Sequence, residues 1–269
     1  MVQKITVLQK EKWALITGAS GGIGKDISDL FAADNINLVL VARNQPKLES
    51  IKNLYESKYG IKVEVFASDL SDRLSPGKIY DSTKNNSINI NYLVNNAGFG
   101  DYGEFITTDY SVYEKMIELN ILSLTHLTHL YLKDMVEKKE GKILNIASTA
   151  AFQPIPMLNV YSSTKSFVLN FSEALNNELR GTGVSVTVLC PGGTKTNFHN
   201  AAGFNLEKEK KSYLMDSKKV AKIGYTAMMN GKCLIIPGLL NKILTFSVRF
   251  APRFLIPGIS KKVMEMTQK

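Results

Sequence analysis

Short apolar runs alternate along the chain with longer segments whose apolar residues recur at helical spacing. The runs with strand character span residues 13–17, 37–42, 62–67, 92–95, 142–147, 185–190 and 233–237. Helices are predicted between them at 25–34, 45–59, 111–136, 161–180 and 217–231. Several strands are apolar almost throughout, which is typical of parallel strands covered on both faces. The alternation therefore predicts an α/β fold with a doubly wound parallel sheet of about seven strands and right-handed crossovers.

One long connection in this pattern is polar. Residues 72–91 include Pro76-Gly77 and Asn85-Asn86, so we expect the least ordered crossover of the chain there. No internal repeat and no linker-like composition divides the sequence. The chain is therefore predicted to form one domain, 1–269, with a basic and apolar C-terminal extension at 239–269.

A glycine cluster directly follows the first strand and opens the next helix. Strand, glycine turn and helix are the layout of a dinucleotide site (a Rossmann fold). Gly18 permits the tight turn, Gly22 lets the backbone approach a pyrophosphate, and Gly24 allows the helix to pack against the sheet. The spacing is G-x-x-x-G-x-G, not G-x-G-x-x-G, and a plain tight turn is the alternative interpretation.

Candidates for the adenosine end of such a cofactor follow the second and third strands. The second strand ends in Ala42, Arg43 and Asn44, where NAD-binding sheets often place an acidic residue. An arginine can pair with a 2′-phosphate through two hydrogen bonds, so we expect a preference for NADP(H); the alternative is a surface arginine in a loop. Asp69 ends the third strand and either accepts a hydrogen bond from an adenine amino group or caps the next helix.

Tyr161 and Lys165 are four residues apart, so a helix would place them on one face. The ammonium charge would favour the phenolate and bring the tyrosine pKa closer to neutral, which makes the pair a proton-transfer device. Taken alone, the pair is a weak signal, and an exposed aromatic beside a solvated lysine is the simpler interpretation. Asn120 lies inside the predicted helix 111–136, although asparagine is a poor helix-interior residue, and Ser148 follows the fifth strand.

Taken together, these residues resemble the short-chain dehydrogenase/reductase superfamily over about residues 13–196. The resemblance rests on Thr17-Gly-Ala-Ser-Gly-Gly-Ile-Gly24, Asp69, Asn95-Asn-Ala-Gly98, Asn120, Ser148, Tyr161 with Lys165, and Pro191-Gly192. The run that ends in Arg43 and Asn44 is similar to the NADPH-preferring branch of bacterial-type oxidoreductases. That branch often has Pro-Gly-Pro-Thr where this chain has Pro191-Gly-Gly-Thr194, and we expect the extra glycine to loosen this turn.

The resemblance implies a role for each candidate. Tyr161 would be the general acid, Lys165 would lower its pKa and bind the nicotinamide ribose, Ser148 would bind the substrate oxygen, and Asn120 would hold a proton-relaying water. Thr194 would bind the carboxamide. The implied NADP(H) site comprises Gly18, Ser20, Gly21, Gly22, Ile23, Gly24, Arg43, Asn44, Asp69, Leu70, Asn96, Ala97, Gly98, Tyr161, Lys165, Pro191, Gly192, Thr194 and Thr196. The implied substrate contacts are Phe99, Ser148, Phe152, Met157 and Tyr161, and no metal is expected.

The resemblance implies hydride transfer between NADP(H) and a carbonyl or alcohol. Apolar residues at 152–158, with Phe99-Gly100 and 197–213, predict a pocket for a small hydrophobic ketone or aldehyde, 3-ketoacyl or steroid-like in kind. The alternative is a non-catalytic NADP(H)-binding regulatory protein on the same fold. In the family the two long helices often build a homodimer or homotetramer; core packing is the alternative use of their apolar faces.

Composition places the chain among ordinary globular proteins, with 44% hydrophobic and 21% charged residues. Its two cysteines form no CxxC or Cys/His cluster, which argues against a disulfide framework or a zinc site and fits a reducing compartment. We see neither a secretory signal nor an uninterrupted apolar stretch of about 18 residues. A cytoplasmic location is therefore expected.

The net charge of +9 lies in one segment, because residues 207–269 carry 13 lysines and arginines against 4 acids. The part of this segment at 239–266 mixes leucine, isoleucine and phenylalanine with Lys242, Arg249 and Arg253. It has three interpretations: a core or oligomer cap, a basic amphipathic segment on the inner membrane surface, or a site for an anionic substrate such as an acyl thioester carrier. Nucleic acid binding is not expected, since no recognition motif accompanies the charge.

Overall fold

A computed structural model describes residues 11–196, 198 and 214–268. Seven parallel strands form one sheet, and two short strands pair separately. In chain order the strands are β1 Trp13–Thr17, β2 Asn37–Ala42, β3 Val63–Ala67, β4 Ile90–Asn95, β5 Gly141–Ile146, β6 Val184–Leu189, β7 Thr194–Lys195, β8 Met215–Asp216 and β9 Leu234–Ile235. The main sheet has the order β3-β2-β1-β4-β5-β6-β9, and β7 pairs with β8. The predicted doubly wound fold is confirmed.

Helices connect the strands on both faces of the sheet. They are α1 Gly22–Ala33, α2 Gln45–Tyr59, α3 Ser75–Asn85, α4 Tyr110–Ile117, α5 Leu124–Glu137, α6 Asn159–Glu178, α7 Ser217–Met229, α8 Leu239–Ser247 and α9 Ile256–Gln268. Short 3₁₀ turns lie at Thr149–Phe152 and Val248–Phe250. The capping signals act as expected: Asp216 accepts hydrogen bonds from the backbone of Lys218 and Lys219 at the start of α7.

The prediction that 72–91 forms the least ordered crossover is wrong. This stretch contains α3, with Pro76 in its first turn, where proline is well tolerated. Ile79 is buried against the sheet, and the Thr83 hydroxyl lies 3.0 Å from the buried Tyr131 hydroxyl on α5. Only one face of α3 packs against α5, so a few apolar residues on that face are enough to hold the helix. The exposed polar residues of the helix lie on its other faces and do not prevent it from forming.

Alternate side chains of each central strand enter two cores. Ala14 and Ile16 of β1 face one core with α1, α2 and α7, whereas Leu15 faces the other with α3 and α5. The strands are therefore covered on both sides, which explains their unbroken apolar character.

β1 and β4 are neighbours at the centre of the sheet, and the direction in which successive strands are added reverses between them. In open parallel sheets a crevice forms at such a switch point, outside the carboxyl ends of the strands. The glycine cluster follows β1 and Asn96 follows β4, so the fold brings both to this crevice.

Candidate active site

The glycine cluster forms a tight turn at the carboxyl end of β1. Gly18 and Gly22 have φ angles of +65° and +55°, a region that favours glycine. A Cβ on Gly24 would lie 2.5 Å from the Gly18 carbonyl oxygen, so only glycine fits this close approach. The N-cap of α1 is Gly21, which has no side chain to accept hydrogen bonds from the first turn of the helix. The backbone N–H groups of that turn can therefore bind an anion. Ser20 and Ile23 are partly buried within the same turn.

Thr17, at the end of β1, fixes the β4 loop to this turn. Its hydroxyl accepts hydrogen bonds from the backbone N–H groups of Asn96 and Ala97, both at 2.9 Å, and donates to the Val94 carbonyl. The Asn96 side chain donates to the carbonyls of Thr17 and Gly18 at 2.9 and 3.3 Å. Asn96 was predicted as a cofactor residue, and in the structure its amide holds the glycine turn in place. Thr17 was not predicted, although its position as the last strand residue before the glycines is a usable signal.

Arg43 and Asp69 are neighbours at the ends of β2 and β3. Burial opposes ionisation of Asp69, but hydrogen bonds from the backbone and hydroxyl of Ser71, together with the Arg43 charge, hold the Asp69 pKa below its usual value. The Arg43 side chain is exposed. Lys47, which was not predicted, brings its Nζ within 3.6 Å of where a Cβ on Gly21 would lie. Lys47 therefore places one cation at the glycine turn, and Arg43 places a second beside Asp69.

Two of the predicted cofactor residues have structural roles for their side chains. Asn44 caps α2 by accepting a hydrogen bond from the Lys47 backbone N–H at 3.0 Å. Leu70 is buried in the core formed with α3 and α5. Asp69 does not cap α3, because its carboxylate accepts from Ser71 in the turn that precedes the helix.

The loop after β6 returns to the glycine turn. Thr196 lies 3.0 Å, through its Cγ2, from where a Cβ on Gly22 would be. The Pro191 carbonyl accepts from the Thr149 backbone N–H at 2.9 Å, and the Thr194 hydroxyl donates to the Gly192 carbonyl at 2.9 Å. Gly193, which we expected to loosen the turn, has its carbonyl bonded to the Met215 N–H at 2.9 Å as β7 pairs with β8.

The predicted helix 111–136 is interrupted by a π-helical segment, Glu118–Ser123, which contains the buried Asn120. Its side chain accepts from the Phe99 N–H at 3.2 Å and donates to the Phe99 carbonyl at 2.9 Å and to Thr164 at 3.1 Å. The helix ladder therefore changes locally at Asn120, a poor helix-interior residue. Asn120 thereby ties the β4 loop to α6, the helix that carries Tyr161.

Gly98 separates Asn120 from Lys165. A Cβ there would lie 2.9 Å from the Asn120 Oδ1 and 3.3 Å from the Lys165 Nζ. Lys165 is only 5% exposed, and its ammonium donates to the Ile146 carbonyl at 2.9 Å. Burial lowers the Lys165 pKa to about 8. The solvated-lysine alternative is therefore wrong for this residue.

Tyr161 lies one helical turn before Lys165, whose Nζ is 5.8 Å from the centre of the tyrosine ring. Burial raises the Tyr161 pKa to about 12, and a hydrogen bond with the Ser148 hydroxyl offsets part of that rise. The expectation that the phenol titrates nearer neutral pH therefore does not hold in this structure. The physical reason is that desolvation of the phenolate exceeds the effect of its neighbours. Ser148 in turn accepts from the Ala150 N–H at 3.1 Å.

An apolar wall surrounds Tyr161. Buried Ala150, Ile155 and Leu158 form a cluster on which Tyr161 packs, together with Tyr102 and Met264. The Phe198 ring lies 5.6 Å from the Tyr161 ring, and a Cβ on Gly100 would lie 3.0 Å from the Tyr161 ring.

The remaining predicted wall residues take different places. Met157 adopts a φ of +70°, unusual for a residue with a side chain, and its carbonyl accepts from the Gly103 N–H. Phe152 packs mainly against the core beside α6 and β6. Phe99 is partly buried, with its backbone bonded to Asn120. Of the expected wall segment 197–213, only Phe198 lies within the described residues.

The described residues fit a dinucleotide. The glycine turn leaves no room for side chains, the N-terminus of α1 faces the crevice, and Arg43 and Lys47 add positive charge at one end. Lys165, Tyr161, Ser148 and Asn120 gather at the other end of the same sheet edge. Within the described part of the chain, no group of three or more potential metal-ligating side chains occurs.

Known proteins share both the sequence and the fold. Residues 12–208 match the family model described as short chain dehydrogenase. The chain is 32% identical over 240 residues to the human very-long-chain 3-oxoacyl-CoA reductase, covering 87% of this chain and 75% of that protein. It is 34% identical over 259 residues to mouse 17-beta-hydroxysteroid dehydrogenase type 3, covering 93% and 82%.

A solved short-chain dehydrogenase from Sphingobium yanoikuyae, in complex with NADPH, superposes with a TM-score of 0.81 at 28% identity, covering 89% of this chain and 93% of that one. The similarity in sequence and the similarity in structure thus point to the same family as the residues at the switch point between β1 and β4. The chain belongs to the short-chain dehydrogenase family and is an oxidoreductase of that family.

Proposed function

We propose that the protein reduces a hydrophobic ketone with NADPH, and that Tyr161 protonates the substrate oxygen. The observation that carries the proposal is the placement of the Tyr161 phenol. It lies near the Ser148 hydroxyl and beside buried Lys165, at the sheet edge where the glycine turn fits a dinucleotide. When bound, NADPH supplies the hydride, and the protein supplies position and electrostatics.

Each polar group of the site has a distinct task in this proposal. Ser148 donates a hydrogen bond to the substrate oxygen and stabilises negative charge that develops there. Tyr161 gives its proton to the same oxygen. Lys165, held by the Ile146 carbonyl, places a positive charge near the phenol and favours its ionised form after transfer. Asn120 holds the β4 loop against α6 and so positions both Gly98 and Lys165.

We propose that the cofactor is NADP(H), because Arg43 beside Asp69 and Lys47 beside Gly21 supply two cations that can pair with a 2′-phosphate. Arg43→Ala is expected to raise the KM for NADPH by about 10-fold to 100-fold, since a charge-assisted hydrogen bond contributes roughly 1.5–3 kcal/mol. The KM for NADH should stay nearly unchanged. Arg180→Ala, which removes another exposed arginine on a distant segment, is the matched control. An equal loss for both cofactors would contradict the assignment of Arg43 to the phosphate.

For the substrate, we propose a 3-oxoacyl thioester with a long acyl chain. The relatives matched include very-long-chain 3-oxoacyl-CoA reductases, and the apolar cluster beside Tyr161 suits a hydrocarbon chain. A steroid-like ketone is the second candidate, favoured by the similarity to mouse 17-beta-hydroxysteroid dehydrogenase type 3.

A substrate panel tests this proposal through the oxidation of NADPH. With 3-oxoacyl-CoA thioesters of increasing length, we expect kcat/KM to rise about tenfold for each added pair of carbons until the pocket is filled, because each buried methylene contributes about 0.8 kcal/mol. Steroid ketones of similar apolar area form the second arm. Binding of NADPH without oxidation by any carbonyl compound would favour a regulatory protein instead.

We further propose that the protein forms a homodimer or homotetramer through its long helices. Ile117, the last residue of α4, is 38% exposed, Leu122 in the π-helical segment is 45% exposed, and Phe167 on α6 is 38% exposed. These residues leave an apolar strip on helices whose other faces are already packed in the core.

A further inference from the structure

The C-terminal helices present a broad apolar surface. On α8 and the 3₁₀ turn that follows, the side chains of Leu239, Leu240, Ile243, Leu244, Phe246 and Phe250 are 55% to 75% exposed. Phe254, before α9, and Ile259 and Val263, on α9, are exposed apolar residues as well, with Phe254 at 81%. Exposed apolar residues scattered singly are ordinary, but so many on consecutive elements mark an interaction surface. No helix among the described residues is long and apolar enough to cross a bilayer.

The same surface is basic. The same elements and the segment between them also carry exposed cations: Lys242, Arg249, Arg253, Lys261 and Lys262. Residues 239–269 contain 6 lysines and arginines and a single acid, Glu265, whose carboxylate lies 3.9 Å from the Lys261 Nζ. An apolar face bordered by cations is the pattern of a helix that lies in the surface of an anionic bilayer.

The polar side of α8 is the side attached to the protein. Asn241 packs on the turn after β6, since a Cβ on Gly192 would lie 2.7 Å from its Nδ2, and it donates to the Pro237 carbonyl at 2.7 Å. Thr245 is the buried residue of α8 and bonds to the Asn241 carbonyl at 2.8 Å. A helix that only completed the core would bury its apolar side chains, whereas α8 turns them outward.

We propose that α8, the 3₁₀ turn and α9 form a docking surface for an anionic lipid bilayer. A second copy of this chain is disfavoured as the occupant. A two-fold interface would bring the same patch of each copy together, and with it two surfaces that each carry a net charge of +4 over the described residues 239–268. An anionic bilayer accepts the apolar side chains and neutralises the cations at the same time.

Docking would place the membrane beside the substrate pocket. Met264 of α9 packs on the cluster that also contacts Tyr161, and α8 holds Gly192 in the turn after β6. A hydrophobic substrate dissolved in the bilayer would then reach the pocket without crossing water. The docking itself does not depend on the proposed reaction, because it rests on the exposed surface alone.

Vesicle co-sedimentation of the full chain tests the docking. We expect tight binding to vesicles of phosphatidylcholine with about 30% phosphatidylglycerol, weak binding to pure phosphatidylcholine, and release at high salt. The triple variant Lys242→Glu, Arg249→Glu, Arg253→Glu should lose about a hundredfold in affinity for the anionic vesicles, at roughly 1 kcal/mol for each of the three cations. The double variant Leu240→Ser, Ile243→Ser should lose a similar factor through its apolar contacts.

Two control variants test whether vesicle binding depends on this surface or on the total charge and exposed apolar area of the protein. The first control is a second triple variant that alters exposed lysines elsewhere: Lys58→Glu, Lys78→Glu, Lys133→Glu. It has the same net charge as the C-terminal triple variant. The second control, Leu74→Ser, removes a leucine that is 65% exposed outside the C-terminal helices. Both should bind vesicles as the wild type does, and NADPH titration checks that all variants are folded. Equal vesicle binding by the wild type and the two tail variants would overturn the proposal. So would a fall in oligomer mass, measured by light scattering, in place of a fall in vesicle binding.

Discussion

Tyr161→Phe should lower kcat by about 10²-fold to 10⁴-fold while the Kd for NADPH changes little, because the substitution removes a proton donor and no packing. The tyrosine ring contacts Phe198, the Gly100 backbone and the apolar cluster with Ile155, and phenylalanine keeps those contacts. Steady-state NADPH oxidation with a 3-oxoacyl thioester measures the turnover. Fluorescence titration measures cofactor binding.

Tyr59→Phe is the matched control, since it removes a phenolic hydroxyl from α2, away from the site. It should leave kcat unchanged. Turnover of Tyr161→Phe at the wild-type rate would refute the role of Tyr161 as the acid. Loss of NADPH binding in that variant would instead place the phenol in the cofactor site.

Gly24→Ala should both destabilise the protein and weaken NADPH binding. The new methyl group would lie 2.5 Å from the Gly18 carbonyl oxygen and 2.4 Å from the Asn96 amide nitrogen, so the turn must shift. Overpacking of this kind costs about 1–3 kcal/mol of unfolding free energy. The shift moves the glycine turn and breaks the hydrogen bonds from Asn96 that hold it. Urea unfolding and NADPH titration measure the two effects.

The chain offers a glycine with the opposite expectation. Gly77 lies in α3, and no atom comes within 4 Å of where its Cβ would be. Gly77→Ala should therefore keep NADPH binding and stabilise the protein by up to about 1 kcal/mol, since alanine favours the helix. If Gly24→Ala behaved like Gly77→Ala, the close approach at Gly18 would not be a constraint.

Part of the site could be predicted because its signals are local. The glycine turn, Ser148 and the Tyr161/Lys165 pair each follow a strand or share a helix face, and a parallel sheet brings such positions to one edge. Side-chain burial and hydrogen-bond partners are not local. The commitment of the Asn96 amide to the Thr17 and Gly18 carbonyls, and the approach of Lys47 to Gly21, depend on how separate elements pack.

The same division holds for the electrostatics. The spacing of Tyr161 and Lys165 predicts a phenol beside an ammonium, but only the fold shows that both are desolvated. The Lys165 pKa falls to about 8 and the Tyr161 pKa rises to about 12 because burial penalises the charged form of each group. The spacing of the two residues predicts the attraction between phenolate and ammonium, which lowers the tyrosine pKa. It does not predict how far each group is removed from water, which raises the tyrosine pKa.

Sequence alone determined the strand–helix alternation, the glycine turn and the polar residues at the strand ends, because apolar periodicity and turn chemistry are properties of neighbouring residues. The bounds of β1, β2 and α2 follow from it directly. Tertiary structure decided that the polar stretch before β4 forms α3, that Asn120 lies in a π-helical segment, and that the C-terminal helices turn their apolar side chains outward. Each of these outcomes depends on the surface against which the segment packs, and the packing of the whole chain determines which surface that is.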